Sequence, residues 1–370
     1  MTRVCRHDVA IYAPFADALY MDGSGRSAGG AETQTWELAH ALSERGLRVC
    51  HIVHDHKDLP RSNAGNITLV RQPADAWTRS VFAYTRAIIR ALEEADAEVY
   101  IQRTAGFDTG VVATYARARG RNCIFSSSSI TDIRPRAPLP PKALVAFTLG
   151  RRLANEIVVQ TNDQLDLASR VLHRKARLIR SFCRLPATSR LRRRAFLWIG
   201  ANIEYKNPLA YLELAARIPE AQFWMIATDR GEPWKDLRRR VEAEAARLPN
   251  CELLPARSRS ALGELYGQAV AVVNTSRFEG FPNTFLEGWA TATPVLSLNV
   301  DPDGIIGGHG LGACAAGSLD VLTAQARQLW TDSVHARMVG AACRRYVATV
   351  HSPDRVGDEW EELVGGLLRR

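Results

Sequence analysis

The chain has 370 residues, of which 46% are hydrophobic and 24% charged. That length outgrows a single hydrophobic core, and the composition is that of an ordinary globular protein, which excludes disordered, fibrous and small disulfide-stapled classes. Lys and Arg (48) outnumber Asp and Glu (39) for a net charge of +9, and no apolar run approaches the roughly 20 residues of a membrane-spanning helix.

The start, MTRVCRHDVAIYAPF, carries Asp8 among its basic residues and no long apolar stretch, so no secretory leader is expected. The seven cysteines are dispersed and form no CxxC pair. Neither a disulfide framework nor a zinc site is expected, and a cytoplasmic location fits. VAIYAPF reads as a buried strand, and DGSGRSAGGAE supplies a glycine-rich turn. TQTWELAHALSERG then places Trp36, Leu38, Ala39 and Leu42 at helical spacing, with Gly46 as a stop. LRVCHIVH is the next strand, and His51, His54 and His56 at its end read as a polar loop. EVYIQR precedes a helix ending near Gly120, and NCIF leads into Ser126 to Ser129 at a strand's carboxyl end, with Asp132 beyond. PKALVAFTLGRRLANE, IVVQT, NDQLDLASRVLHR and ARLIRSF complete a first half of alternating helices and strands.

The proline-containing stretch SFCRLPATSRLRRR reads as a connection between domains. Between Ala168 and Ile203 there is no acidic residue, whereas Arg170, Arg174, Lys175, Arg177, Arg180, Arg184, Arg190, Arg192, Arg193 and Arg194 all fall there. This charge is either a solvated connecting face or an attraction for something anionic, such as a membrane surface, an acidic acceptor or nucleic acid. After it the alternation restarts with AFLWIG, NPLAYLELAARIP, AQFWMIA, EPWKDLRRRVEAEAARLPN, CELLPA, SALGELYGQA, VAVVNTS, NTFLEGWATAT and PVLSLNV. Three helical patterns finish the chain. Repeated strand and helix argue for parallel sheets covered on both faces. Open parallel sheets bind ligands at the carboxyl ends of their strands, so two of them facing one another imply a cleft.

The most informative segment is NTSRFEGFPNTFLE. Pro282 biases Phe281 away from helical backbone, and Asn283 or Thr284 is suited to cap a helix. Glu279 is then in the loop, and Glu287 about one turn into the helix. A helix N-terminus favours an anion such as a diphosphate, with Glu287 placed to reach ribose hydroxyls and Glu279 to grip the sugar.

With seven residues between Glu279 and Glu287, EGFPNTFLE ahead of PVLSLNVDP resembles the E-x7-E signature of family 4 glycosyltransferases. The resemblance implies an α/β, GT-B fold: two Rossmann-like domains whose parallel sheets face an interdomain cleft, and transfer with retained anomeric configuration. It implies an acceptor domain over residues 1–185, a donor domain over 190–345, and a last helix over 350–370 crossing back to the first domain. WIGANIEYKNP is similar to the family's opening donor-domain loop, with Gly200, Asn207 and a diphosphate-neutralising Lys206. The resemblance makes Lys206 and Glu279 the catalytic residues. It gives the donor site Gly280, Phe281, Pro282, Asn283, Thr284 and Glu287, together with Gly29 and Gly30 of the first domain. Glycines there permit close approach of backbone to phosphate and a positive φ at the helix start.

The implied co-substrate is a UDP- or GDP-linked sugar, with no cofactor and no metal required. The implied acceptor is a glycan, a lipid-linked or a small-molecule hydroxyl, and no nucleic acid is expected. The family often has arginine after the glycine, where Ala201 stands here. Arg230 and Arg257 are weak substitutes. Asp301-Pro302-Asp303 is a D-x-D of the kind that ligates metal on a different glycosyltransferase fold, and here it follows a donor-domain strand. An NAD-linked oxidoreductase would need a GxGxxG that SGRSAGG does not provide. A nucleotide-sugar epimerase of the same fold, or a basic polyanion- or membrane-binding protein with a degenerate transferase fold, are the alternatives.

Overall fold

The computed structural model describes residues 5–21, 29–59, 63–134, 136–186, 193–229, 231–257 and 259–369. The chain divides into two compact units, one of residues 1–182 with 353–370, the other of residues 183–352.

In the first unit the strands are β1 (His7–Tyr12), β2 (Val49–His54), β3 (Asn63–Ala64), β4 (Ile67–Gln72), β5 (Ala97–Arg103), β6 (Asn122–Ser126), β7 (Glu156–Val159) and β8 (Arg177–Leu178). They form one sheet in the order β3-β4-β2-β1-β5-β6-β7-β8. All neighbours pair in parallel except the two-residue edge strand β3. The alternation of a pleated strand sorts side chains to two faces. Val9 and Ile11 pack with Leu38 and Leu42 of the helix Gly30–Glu44, and with Val356 and Trp360 of the last helix, Pro353–Leu368. Ala10 and Tyr12 face the opposite layer, with Ile88 of the helix Val81–Ala95 and Val112 of the helix Phe107–Ala118. Burial on both faces is why these strands read as continuous apolar runs.

In the second unit the strands are β9 (Ala195–Ala201), β10 (Phe223–Thr228), β11 (Cys251–Leu253), β12 (Ala269–Asn274), β13 (Val295–Ser297) and β14 (Gly312–Cys314). Their order is β11-β10-β9-β12-β13-β14, and every pairing is parallel. Counted from β9, this is the 3-2-1-4-5-6 order of a Rossmann sheet, whose topological switch point lies between its first and fourth strands, β9 and β12. The expected α/β class with two Rossmann-like sheets is observed.

Several local expectations are corrected. His51 and His54 lie within β2 and are buried, not in a polar loop. The Tyr20 hydroxyl meets His51 Nδ1 at 2.6 Å, and burial pushes that imidazole down to about 3. Part of the basic stretch is spent inside the fold, while Arg170, Lys175, Arg177, Arg184 and Arg194 are exposed. Arg174 donates to the carbonyls of Arg151, Arg152, Ala154 and Asn155, holding the end of the helix Pro141–Leu153. Arg180 donates to Gln160 O, and Arg193 reaches the carbonyls of Gly267, Ala269 and Ala292. Arg190 and Arg192 lie outside the described residues.

Candidate functional site

The two loops that leave β9 and β12 are the ones a Rossmann switch point offers to a ligand. The first contains Lys206 and the second Glu279. A hydrogen-bond relay ties them together. Trp198 on β9 donates its indole N–H to Thr275 Oγ1 (2.9 Å), and the Thr275 hydroxyl donates to the Lys206 carbonyl (2.9 Å). Arg277 N–H donates to Tyr205 O (2.8 Å), and the rings of Tyr205 and Phe278 stack 4.7 Å apart. Lys206 Nζ then forms an ion pair with Glu279 Oε1, which also accepts from the Ser276 hydroxyl at 2.7 Å.

Both charged side chains are mostly withdrawn from water, at 22% exposure for Lys206 and 12% for Glu279. Desolvation strengthens such a pair relative to one at the surface. The expectation gave these residues separate tasks. The structure pairs them, since a cation and a carboxylate on two laced loops neutralise each other.

Gly200 sits near the end of β9, where a Cβ would come within 2.9 Å of the Trp198 ring. Asn207 takes a left-handed backbone (φ 51, ψ 54) and starts the helix Pro208–Arg217. Asn tolerates that conformation best among residues with a side chain. The helix Asn283–Ala290 follows the Glu279 loop, but its cap position is Pro282, with extended backbone and no capping side chain. Asn283 and Thr284 are therefore its first residues and not its cap, because Pro282 is the last residue with extended backbone and the helix begins directly after it. Gly280 lies in the loop, and Phe281 is buried against Trp289 and His351. Glu287, in the helix's second turn, accepts a hydrogen bond from the buried Tyr266 hydroxyl at 2.6 Å.

Gly29 and Gly30 belong to the first unit, at the head of the helix Gly30–Glu44. Gly29 has φ −77 and ψ 176, and Gly30 is not among the positive-φ residues, so no left-handed backbone is needed here. A Cβ at Gly29 would meet the carboxylate of Glu32, the free end of a side chain that can swing aside. Asp301 accepts from the N–H groups of Ile306 (2.8 Å) and Gly307 (3.4 Å), occupying its carboxylate as a local cap. Ser128 and Ser129 fold onto Asp132. Arg257 is exposed after the edge strand β11, two strands from the switch point, and Arg230 lies outside the described residues. Thr275, Ser276 and Tyr266 went unread in the sequence. Polar residues directly after a buried strand were the available signal for the first two.

Residues 193–332 match the family model described as glycosyl transferases group 1. That match decides the class: the chain is a glycosyltransferase. Solved structures share the fold over almost the whole length. Sucrose-phosphate synthase from Thermosynechococcus elongatus superposes with a TM-score of 0.81 at 15% identity, over 98% of this chain and 100% of that one. HepE from Anabaena, in complex with UDP and glucose, gives 0.75 at 12% identity over 98% and 100%. A glycosyltransferase from Rickettsia africae gives 0.73 at 13% over 98% and 99%. No curated protein matches the chain by sequence. At these identities the superpositions establish the GT-B fold, and the domain match carries the reaction class. Among the described residues of this glycosyltransferase, no helix is long and apolar enough to cross a membrane.

Proposed function

We propose that this glycosyltransferase is of the family 4 retaining type and takes a hexosyl group from a UDP-sugar, with residues 183–352 as the donor side and residues 1–182 as the acceptor side. The observation that carries the reading is the Lys206–Glu279 pair on the two switch-point loops. UDP is preferred to GDP because HepE, which shares the fold, binds UDP and glucose.

On donor binding the diphosphate competes with Glu279 for Lys206. The ammonium stabilises the charge that grows on the leaving group, aided by the positive end of the dipole of the helix Asn283–Ala290. Glu279, still held by Ser276, is released to orient sugar hydroxyls. Glu287, fixed by Tyr266, takes the ribose diol. The pairing offers no protein nucleophile, so the acceptor oxygen forms its bond to the anomeric carbon on the face from which the diphosphate leaves. The acceptor's proton passes to a diphosphate oxygen, and no metal or cofactor takes part.

The acceptor is a glycan, lipid-linked or small-molecule hydroxyl, in cell-surface polysaccharide, glycolipid or secondary-metabolite biosynthesis. A cytoplasmic enzyme touching an anionic membrane peripherally, without nucleic acid, fits this role. The test is to incubate the enzyme with UDP-glucose and a panel of such acceptors and read the product's anomeric proton by NMR. An α-linked product supports the proposal, whereas a β-linked product or release of a free epimerised UDP-sugar contradicts it.

A further inference from the structure

Part of the charge that the sequence concentrates is spent within the fold, because Arg174, Arg180 and Arg193 are turned onto backbone carbonyls. A different basic surface lies in the first unit. There the end of β4 and the helices Ala76–Arg79 and Val81–Ala95 border an open groove of about 420 Å³. Small buried side chains, Ala87 and Ala91 among them, leave the space, and Arg71, Arg79, Arg86 and Arg90 line it together with a single carboxylate residue, Glu94.

Arg71 is engaged by Asp55 and Arg79 by Asp75. Among the described residues, neither Arg86 nor Arg90 has an ion-pair or hydrogen-bond partner. They stand four residues apart on one helix face, a spacing at which like charges repel. Such an arrangement costs stability unless an anion comes between them. Phe82, another four residues back on the same face, is 75% exposed, and its neighbour Val81 is 54% exposed.

We propose that this face docks on an anionic bilayer, with lipid phosphate groups entering the groove between Arg86 and Arg90. Guanidinium matches phosphate geometry in paired hydrogen bonds. The alanine floor leaves room for a headgroup, and an exposed aromatic beside an aliphatic residue suits the headgroup–acyl boundary. A free phosphate ester would satisfy the arginines but gives no account of Phe82 and Val81. The inference rests on the peripheral-contact reading above and is independent of the donor chemistry.

The test is cosedimentation of the full chain with vesicles of phosphatidylglycerol mixed with phosphatidylcholine, and with phosphatidylcholine alone. The enzyme is expected on the anionic vesicles only. R86Q/R90Q removes two charges from exposed, unpartnered positions and should lower the partition coefficient about thirtyfold, at roughly 1 kcal/mol per arginine. F82S should weaken binding while leaving the charge intact. R240Q/R345Q removes the same charge from exposed positions in the second unit and should change binding far less. Equal losses in the two double variants, or no binding of the wild type to anionic vesicles, would overturn the proposal. Inorganic pyrophosphate titrated without vesicles separates the sources. Groove-dependent pyrophosphate binding with no vesicle binding assigns the groove to a soluble phosphate and also overturns it. Melting with UDP on the same samples shows whether the donor site survives, so failure of docking is not confused with failure of the transferase.

Discussion

Lys206 Nζ and Glu279 Oε1 form an ion pair across 73 residues of sequence, each carried by a loop that leaves one of the two strands at the switch point of the second sheet. Their proximity makes the two charges one device. Lys206→Ala and Glu279→Ala should each lower turnover about a hundredfold, the scale seen when one preorganised electrostatic partner is removed. Because each variant also frees the other residue, the double variant should lose much less than the product of the two. Steady-state rates in a double-mutant cycle check this. Additive losses would mean that the pair does not act as a unit.

Tyr266 reaches the site only through Glu287. Tyr266→Phe removes the hydroxyl donated to the carboxylate at 2.6 Å and little else. One hydrogen bond to a charged group is worth about 1.5 kcal/mol, so UDP affinity should fall roughly tenfold. Calorimetric titration with UDP should show that loss. The rate constant at saturating donor should stay within about twofold, because the ribose contact binds ground state and transition state alike.

Arg193 is a staple of the second unit. Its guanidinium serves the carbonyls of Gly267 (3.1 Å), Ala269 (2.6 Å) and Ala292 (2.7 Å), binding the starts of β9 and β12 to the turn before β13. Burial pushes its pKa down. Arg193→Ala leaves several buried carbonyls without a donor and should cost about 3 kcal/mol or more. Urea unfolding should show this as a lower midpoint, whereas Arg240→Ala, on an exposed helix face, should sit within about 0.5 kcal/mol of the parent.

Acid should destabilise the first unit through His51. Its imidazole is held near 3 by burial, against 6.5 when unperturbed. As pH falls below that value the unfolded chain takes up a proton that the folded chain refuses, so stability is lost as the solution is acidified. Asp108 works the other way. Burial raises its carboxyl from 3.8 to about 6, so the folded chain holds the extra proton and gains stability over the same descent. The larger histidine shift wins. Urea midpoints should fall between about pH 6.5 and pH 4 in the wild type. In His51→Gln the Asp108 contribution stands alone and the midpoint should rise over this range, whereas in Asp108→Asn the fall should be steeper.

The donor half was legible because its signals are local. AFLWIG and VAVVNTS are buried parallel strands, and EGFPNTFLE fixes a loop and a helix within a few residues. The pairing of Lys206 with Glu279 was not legible, since it depends on β9 lying beside β12, a tertiary fact that no local pattern carries. The cap was misplaced because Asn283 has good capping chemistry, while the extended backbone of Pro282 takes that position. The arginine-rich stretch stayed open between a solvated face and an anion site, because charge in a sequence does not say whether the guanidinium faces water, as at Arg170 and Arg184, or a carbonyl. Arg174 and Arg193 face carbonyls. His51 was read as loop because it is polar, yet the hydroxyl of Tyr20 supplies the partner that lets it stay in a strand.

The most direct measurement is the melting temperature with UDP, GDP and ADP, without divalent metal, on the wild type and on Lys206→Ala. The account predicts that UDP raises the wild-type midpoint, by the equivalent of about 2.7 kcal/mol at a hundred times its dissociation constant. It predicts smaller shifts with the other two nucleotides and a much reduced UDP shift in Lys206→Ala. A wild type whose midpoint no nucleoside diphosphate moves, or a Lys206→Ala variant stabilised as fully as the parent, would contradict a donor site built on Lys206 and Glu279.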